Sequence, residues 1–326
     1  MTARPLRIGV DLGGTKTEAV VVRLGSANPD VLARRRIATT RELGYEHIVE
    51  ETRALVARVA QDAGLDSAAL AEVTVGVGMP GSVTMRHADG TASRDPLVKN
   101  SNTTVLNGRP FRSDLARALG KADVAFANDA NCFALAEAVW GAARGARVSF
   151  GVILGTGVGG GVVLRDGDRA RAWDGAQSIA GEWGHVVLDP IGGEPCYCGR
   201  RGCIETYLAG PAIERAYTAR SGGKALRLPE IADRAKGGDA VASGLITERV
   251  EVFGRAISIV VNVLDPDIIV LGGGVSNLEA LYDEGVKALR RWVFNDELLT
   301  RVVKNELGDS AGVLGAALLE ARAANG

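Results

Sequence analysis

The 326-residue chain has almost no net charge, since 38 Lys and Arg stand against 39 Asp and Glu. A protein that grips a nucleic-acid backbone needs a basic excess to release counterions, so nucleic acid is not an expected partner. Long apolar runs are missing too. No stretch of about 18 or more uncharged apolar residues occurs, and the opening Met1-Thr2-Ala3-Arg4-Pro5-Leu6-Arg7 lacks the apolar core of a secretion signal. The expectation is a cytoplasmic protein with no membrane partner. No charged tail, Pro-rich linker or low-complexity stretch marks a boundary. What remains is ordinary globular composition, 46 % apolar and 24 % charged, in a chain long enough to favour two lobes over one. Glycine is the exception. Forty-three residues of the type that loses most backbone entropy on folding imply turns that need positive φ or close approach to a ligand.

Patterning gives an α/β class. Arg7–Leu12, Thr17–Leu24 and Val31–Ile37 read as an antiparallel meander, covered by a helix from Tyr45 to Gly64. Glu72–Gly78 reads as a strand, Asp114–Leu119 as a short helix, and Val124–Ala127 as a strand running into Asn128-Asp129, with a helix over Cys132–Ala143. Phe150–Leu154 and Val162–Arg165 repeat the opening theme of strand, glycine turn, strand about 140 residues later, which suggests two related lobes. Helices over Val250–Leu264 and Leu278–Trp292 flank a strand at Asp267–Leu271.

Three glycine turns stand out: Gly13-Gly14, Gly155 to Gly161, and Gly272-Gly273-Gly274. Backbone N–H groups in such turns can converge on phosphate oxygens. A plain hairpin explains any one of them, but three in one chain, one flanked by Asp11 and Lys16, favour a polyphosphate ligand. Gly155-x-Gly157-x-x-Gly160 meets the dinucleotide fingerprint literally, yet a strand follows where a helix should, so that reading fails. Cys196, Cys198 and Cys203 crowd one loop, with His185 upstream, and Cys3His is a tetrahedral zinc set. A disulfide is the competing reading, disfavoured by an odd cysteine number and poor C-x-C geometry. Cys132 reads as a core residue. Asn100, Asn102, Asn128, Asp129, Glu182, His185 and Glu205 form a polar set beside these turns, of the kind that reads a hydroxyl-rich ligand. Asp129 is the candidate base for a hydroxyl.

Asp11-Leu12-Gly13-Gly14-Thr15-Lys16, Leu154-Gly155-Thr156-Gly157-Val158-Gly159-Gly160-Gly161, Gly181-Glu182-Trp183-Gly184-His185 and Cys196-x-Cys198-Gly199-x-x-Gly202-Cys203-Ile204-Glu205 together resemble the ROK family (repressors, open reading frames and sugar kinases), in the actin-like ATPase superfamily. The resemblance implies a two-lobed actin-like (ribonuclease H-like) α/β fold with a zinc-stabilised loop. It places a smaller lobe at 1–125, a larger one at 126–310, and a last helix from Ala311 to Ala323, within a segment 311–326 that packs back on the first lobe. It implies Asp129 as general base, and Asn100, Asn102, Asn128, Glu182, His185 and Glu205 as sugar ligands over a floor at Gly81. ATP would meet Asp11, Gly13, Gly14, Thr15, Lys16, Gly155, Thr156, Gly157, Val158, Gly159 and Gly160, with adenosine at Gly272, Gly273 and Gly274. Asp11 would hold Mg²⁺ through water, and His185, Cys196, Cys198 and Cys203 a structural zinc. Val98-Lys99-Asn100-Ser101-Asn102, Leu106-Asn107-Gly108 and Pro195-Cys196-Tyr197-Cys198-Gly199 look most like fructokinases that also accept mannose. The expected reaction is phosphorylation of D-fructose at its 6-hydroxyl. The alternatives are glucose, mannose or an N-acetylhexosamine as acceptor, and more distantly a repressor without its DNA-binding domain. The family also suggests a homodimer.

Overall fold

The computed structural model describes residues 5–320 in two compact units: 5–140, 172–180 and 309–320 in the first, Gly141–Arg171 and Gly181–Gly308 in the second. The first holds strands β1 (Leu6–Leu12), β2 (Lys16–Arg23), β3 (Asp30–Ala38), β4 (Thr74–Met79), β5 (Ser82–Arg86), β6 (Ala92–Lys99) and β7 (Ala125–Asn128). Its helices are α1 (Tyr45–Asp62), α2 (Ser67–Glu72), α3 (Phe111–Ala118) and α4 (Asp129–Trp140). The second holds β8 (Val148–Leu154), β9 (Val158–Asp166), β10 (Arg169–Ala172), β11 (Ile268–Gly272) and β12 (Arg301–Lys304). Its helices are α5 (Glu205–Leu208), α6 (Gly210–Ser221), α7 (Leu228–Lys236), α8 (Ala240–Leu264) and α9 (Glu284–Arg290), after which α10 (Ala311–Leu318) returns to the first unit.

The first sheet runs β3-β2-β1-β4-β7. β1 pairs antiparallel with β2 and parallel with β4, and β4 pairs parallel with β7. Side chains alternate across it. Ile8, Val10 and Leu12 of β1 and Val75, Val77 and Met79 of β4 join one core with Ile48 and Leu55 of α1 and Phe111 and Leu115 of α3. The intervening residues are small or acidic: Gly9 and Asp11 on β1, Gly76 and Gly78 on β4. That face receives α10. A Cβ on Gly9 would stand 2.2 Å from Val313 O, and one on Gly76 1.9 Å from Ala316 O. Backbone therefore lies on backbone, which any side chain would prevent. Cys132 of α4 is fully buried against Gly78, a core residue as expected.

The boundary expected between 125 and 126 thus falls after Trp140, because β7 completes the first sheet and α4 packs on α10. The last helix ends at Leu318, and 321–326 lie outside the described residues. The second sheet runs β10-β9-β8-β11-β12, with β8 antiparallel to β9, parallel to β11, and β11 parallel to β12. The repeated strand–turn–strand theme is therefore a repeated topology. A separate core of Phe150, Val152, Leu154, Trp183, Ile204, Phe253, Ile257 and Leu271, among others, fills this unit. No helix among the described residues is long and apolar enough to cross a membrane.

Candidate active site

In an open parallel sheet, ligands bind beyond the carboxyl ends of the strands. In the first unit those ends belong to β1, β4 and β7, and the candidate residues collect there. Asp11 is the penultimate residue of β1, Gly81 follows β4, and Asn128 closes β7. Asn128 Nδ2 donates to Gly81 O at 2.9 Å, tying two strand ends together, while its Oδ1 accepts from Ala130 N–H at 2.9 Å and so opens α4. One N–H of that amide remains for a ligand. Asp129, expected in the connection after the strand, is the first residue of α4. Its Oδ1 accepts from the same Ala130 N–H at 2.9 Å, and Oδ2 has no partner among the described residues. Burial pushes the Asp129 carboxyl up from the ordinary carboxylate range.

Asp11 accepts no hydrogen bond from any described residue. Burial first, then the charges of Asp129 and Glu18, push its carboxyl up to about 7, while Lys16 and Arg36 pull it down. Asp11 faces Glu18 across the β1–β2 pair and Glu18 faces Arg36 across the next, so the three form one row on the sheet. Gly13 N–H donates to Lys16 O at 3.0 Å, closing the first glycine turn, and Thr15 O accepts from Thr39 N–H.

Gly81 has φ +92°, and a Cβ there would stand 2.6 Å from Lys99 O and 2.8 Å from Ser101 N. It is thus the bed for the loop carrying Asn100, in the left-handed region at φ 58°, and Asn102, both exposed. Asn107 fixes that loop, its Oδ1 accepting from Ser101 N–H at 2.9 Å and its Nδ2 donating to Ser101 O at 3.0 Å. The sequence reading gave Asn107 no role. It also missed Arg41, whose guanidinium reaches the first glycine turn. No motif announces it.

In the second unit the turn after β8 lies beside Gly273, where a Cβ would stand 2.4 Å from Leu154 O at φ +81°. Glu205, first residue of α5, sends Oε2 to Val158 N–H at 2.9 Å, and that oxygen fills the space a side chain on Gly157 would take, 2.7 Å from its Cβ position. Gly155 N–H donates to Gly157 O. Two amides expected to face phosphate, those of Gly155 and Val158, are therefore already engaged, and those of Thr156 and Gly157 remain. Gly159 and Gly160 are not turn residues but part of β9. Gly160 is small because the Phe150 ring and Gly181 O press on it, at 2.4 and 2.8 Å from its Cβ position. Gly272 likewise is the last residue of β11, opposite Ile153, and Gly274 opens a 3-10 turn.

Glu182 precedes and His185 ends the 3-10 turn Trp183–His185, pinned by Trp183, whose Nε1 donates to Ala256 O at 3.0 Å. His185 Nδ1 lies 3.5 Å from Cys196 Sγ, and Cys198 Sγ lies 3.6 Å from Cys203 Sγ. The four donor atoms fall within 4.8 Å of one another, and all three thiols are free. Tetrahedral zinc with bonds of about 2.3 Å separates two sulfurs by about 3.8 Å, so the set has the size zinc requires. The knuckle is built by Cys196 N–H to Arg200 O and Gly199 N–H to Cys196 O. His185 Nε2 stands in hydrogen-bond contact with the Tyr197 hydroxyl at 2.9 Å. Loss of hydration, then the carboxylates of Glu205 and Glu182, push the Tyr197 phenol above its ordinary range, so these acids surround it.

The ROK family model matches residues 7–323. The chain is 36 % identical over 323 residues to an N-acetyl-D-glucosamine kinase of Photobacterium profundum, covering 95 % of this chain and 98 % of the relative. Among solved structures it is similar to the ROK hexokinase of Thermus thermophilus, with TM-score 0.79, 33 % identity, and coverage of 96 % and 97 %. It is also similar to a ROK family glucokinase of Streptomyces griseus in complex with glucose and AMPPNP, with TM-score 0.74, 29 % identity, and coverage of 96 % and 99 %. By these matches and by its two α/β units of actin-like type, the chain belongs to the ROK family and has the fold of its sugar kinases.

Proposed function

We propose that this ROK-family sugar kinase transfers the γ-phosphoryl group of ATP to the 6-hydroxyl of a hexose, with N-acetyl-D-glucosamine as the leading acceptor. The observation that supports the chemistry is Asp129. It opens α4 at the end of a parallel strand, keeps Oδ2 unpaired, and has a carboxyl raised by burial, which makes it a stronger base than a solvated aspartate. In this reading Asp129 accepts the hydroxyl proton as the sugar oxygen attacks the γ-phosphorus in line with departing ADP. Asn100, Asn102, Asn128, Glu182, His185 and Glu205 hold sugar hydroxyls, and Gly81 shapes the floor.

Transfer demands positioning and charge neutralisation more than covalent help. Lys16 and the amides of Gly14, Thr15, Thr156 and Gly157 supply donors to the phosphates, and Gly273 and Gly274 border the adenosine. A Mg²⁺ ion carried with the nucleotide would supply charge neutralisation for the phosphates. Asp11 fits as its protein ligand, being an acid with no hydrogen bond from the described residues whose carboxyl is pushed up to about 7 by burial and by the charges of Asp129 and Glu18. The Cys3His set fits structural zinc, which would lock the loop between His185 and Cys203 and thereby Glu205.

The relative's name favours the N-acetylhexosamine alternative over the D-fructose that the Val98–Asn102 and Pro195–Gly199 segments suggested. A coupled ADP-release assay over N-acetyl-D-glucosamine, D-fructose, D-glucose and D-mannose tests this. The highest kcat/KM on N-acetyl-D-glucosamine is the expected result, a fructose maximum returns the earlier expectation, and ADP release that no hexose stimulates overturns the kinase. Asp129→Asn should cost about 10²-fold or more in turnover with the fold intact.

A further inference from the structure

Three polar groups from two segments, Arg41 and the adjacent pair Asn102-Thr103, meet beside the first glycine turn. A Cβ placed on Gly14 would stand 3.7 Å from Thr103 Oγ1, 3.8 Å from Asn102 Oδ1 and 3.8 Å from Arg41 Nη1. Gly14 leaves this point open, and each neighbour approaches it with capacity to spare. Thr103 is fully buried and its hydroxyl has no hydrogen-bond partner, a condition that costs about 1–3 kcal/mol unless something supplies one. Arg41, on the 3-10 turn Arg41–Leu43 before α1, is exposed and holds no carboxylate among the described residues. Of the other arginines of the same unit, Arg23, Arg34, Arg35, Arg36, Arg53, Arg58, Arg109, Arg112 and Arg117 are ion-paired, whereas Arg7, Arg86 and Arg94 hold no carboxylate among the described residues either, so what distinguishes Arg41 is its place at a glycine turn. An arginine kept free at a glycine turn, beside an orphaned hydroxyl, is a built anion site rather than a solvated side chain.

We propose that Arg41, outside every motif that carried the family resemblance, is a catalytic residue that binds the γ-phosphoryl group of ATP. The inference rests on the kinase reading for the identity of the anion. Within that reading the glycine turn serves the nucleotide phosphates and Asn102 serves the sugar, so a guanidinium that shares one point with both meets the group passing between them. The new bond joins the sugar 6-oxygen to phosphorus, and the bond from phosphorus to the β,γ-bridging oxygen breaks. Its electron pair leaves on ADP, and the hydroxyl proton goes to Asp129. The planar fork of Arg41 can pair with two equatorial phosphoryl oxygens throughout, which a lysine cannot reproduce.

The test compares binding of AMP-PNP and of ADP, each with Mg²⁺, to the full chain by calorimetry, in wild type, Arg41→Ala and Arg41→Lys. Arg41→Ala should weaken AMP-PNP about tenfold or more, leave ADP within about twofold, and lower kcat on the best hexose about 10²-fold. Arg41→Lys should fall between. Because the guanidinium holds no other side chain, the thermal midpoint should stay within about 1 °C, so a folding defect is separable. Equal loss for both nucleotides, or no loss for either, overturns the assignment. If nucleotide binds but no hexose is phosphorylated, the acceptor reading fails while the AMP-PNP and ADP comparison still decides Arg41. If wild type binds neither nucleotide, the kinase reading fails and takes this inference with it.

Discussion

Asp11 should be worth more to the protein as a ligand than as part of the fold, and replacing it should separate the two. The carboxyl is ionised above about 7 in the folded protein against 3.8 in a free chain, because it is buried, faces the charges of Asp129 and Glu18, and accepts no hydrogen bond. The folded state therefore holds the proton more tightly than the unfolded one. That preference favours folding in full below pH 3.8, fades as the pH rises, and is gone above about 7. At about 1.4 kcal/mol per pH unit, the ionised carboxylate costs the apo fold at most about 4 kcal/mol at pH 8, and about 1.7 kcal/mol at pH 5. The amino end of α10 offsets part of this, since a Cβ on Gly312 would lie 2.9 Å from Asp11 Oδ2.

Asp11→Asn removes the charge and keeps the shape. In the presence of a chelator, its thermal midpoint should exceed that of wild type, and the excess should grow by about 2–4 °C from pH 5 to pH 8. The same variant should lose about 10²-fold in kcat with Mg²⁺ and ATP. Thermal unfolding at the two pH values, with a coupled assay alongside, reads both effects. A difference that stays flat with pH, or a variant less stable than wild type at pH 8, refutes the electrostatic reasoning.

The remaining predictions concern the groups that hold the polar set in place. Gly157→Ala would put a methyl 2.7 Å from Glu205 Oε2, so the carboxylate must leave the Val158 amide, and the hexose KM should rise about tenfold in steady-state kinetics. Asn107→Ala removes both side-chain bonds to Ser101 and should cost about 1–2 kcal/mol in denaturant unfolding, with a several-fold rise in hexose KM from the loosened Asn100–Asn102 loop. Wild type should carry about one zinc per chain by elemental analysis, and Cys203→Ser well under half of that, with faster proteolysis between Val186 and Cys203. Near-full zinc in the variant would remove Cys203 from the ligand set.

Legibility followed the physics of each segment. The β1–β2 turn and α1 could be read because alternation and helical period act locally, and the structure keeps them within a residue or two. The end of β7 was read as a strand meeting a polar loop. Asn128 in fact caps a helix that begins at once, a start that an Asn-Asp pair before an alanine-rich run does signal. The β5–β6 hairpin was missed although Asp89-Gly90 is a hairpin signal, because its strands mix arginine and aspartate with their apolar residues. Leu278–Trp292 reads as one helix but is broken into 3-10 turns before α9. Tyr282 Oη donates to Ser276 O at 2.7 Å and so ties the second 3-10 turn back to the one before it, a contact that helical period does not encode. Arg41 was illegible for a similar reason: the approach of its guanidinium to Gly14 comes from the folding of distant segments and not from a local pattern.

The two glycine turns make the limit of motif reading concrete. Both follow the first strand of a five-stranded sheet with the same strand order, and both lead into an antiparallel neighbour. Sequence alone treats them as equivalent phosphate loops. Their surroundings differ. The space a side chain would fill at Gly157 holds the carboxylate of Glu205, already bonded to the turn. The space at Gly14 borders an unpaired guanidinium and an unsatisfied hydroxyl. If Arg41 holds the γ-phosphoryl group as proposed, raising ionic strength should weaken AMP-PNP binding more steeply in wild type than in Arg41→Ala, where that attraction is gone.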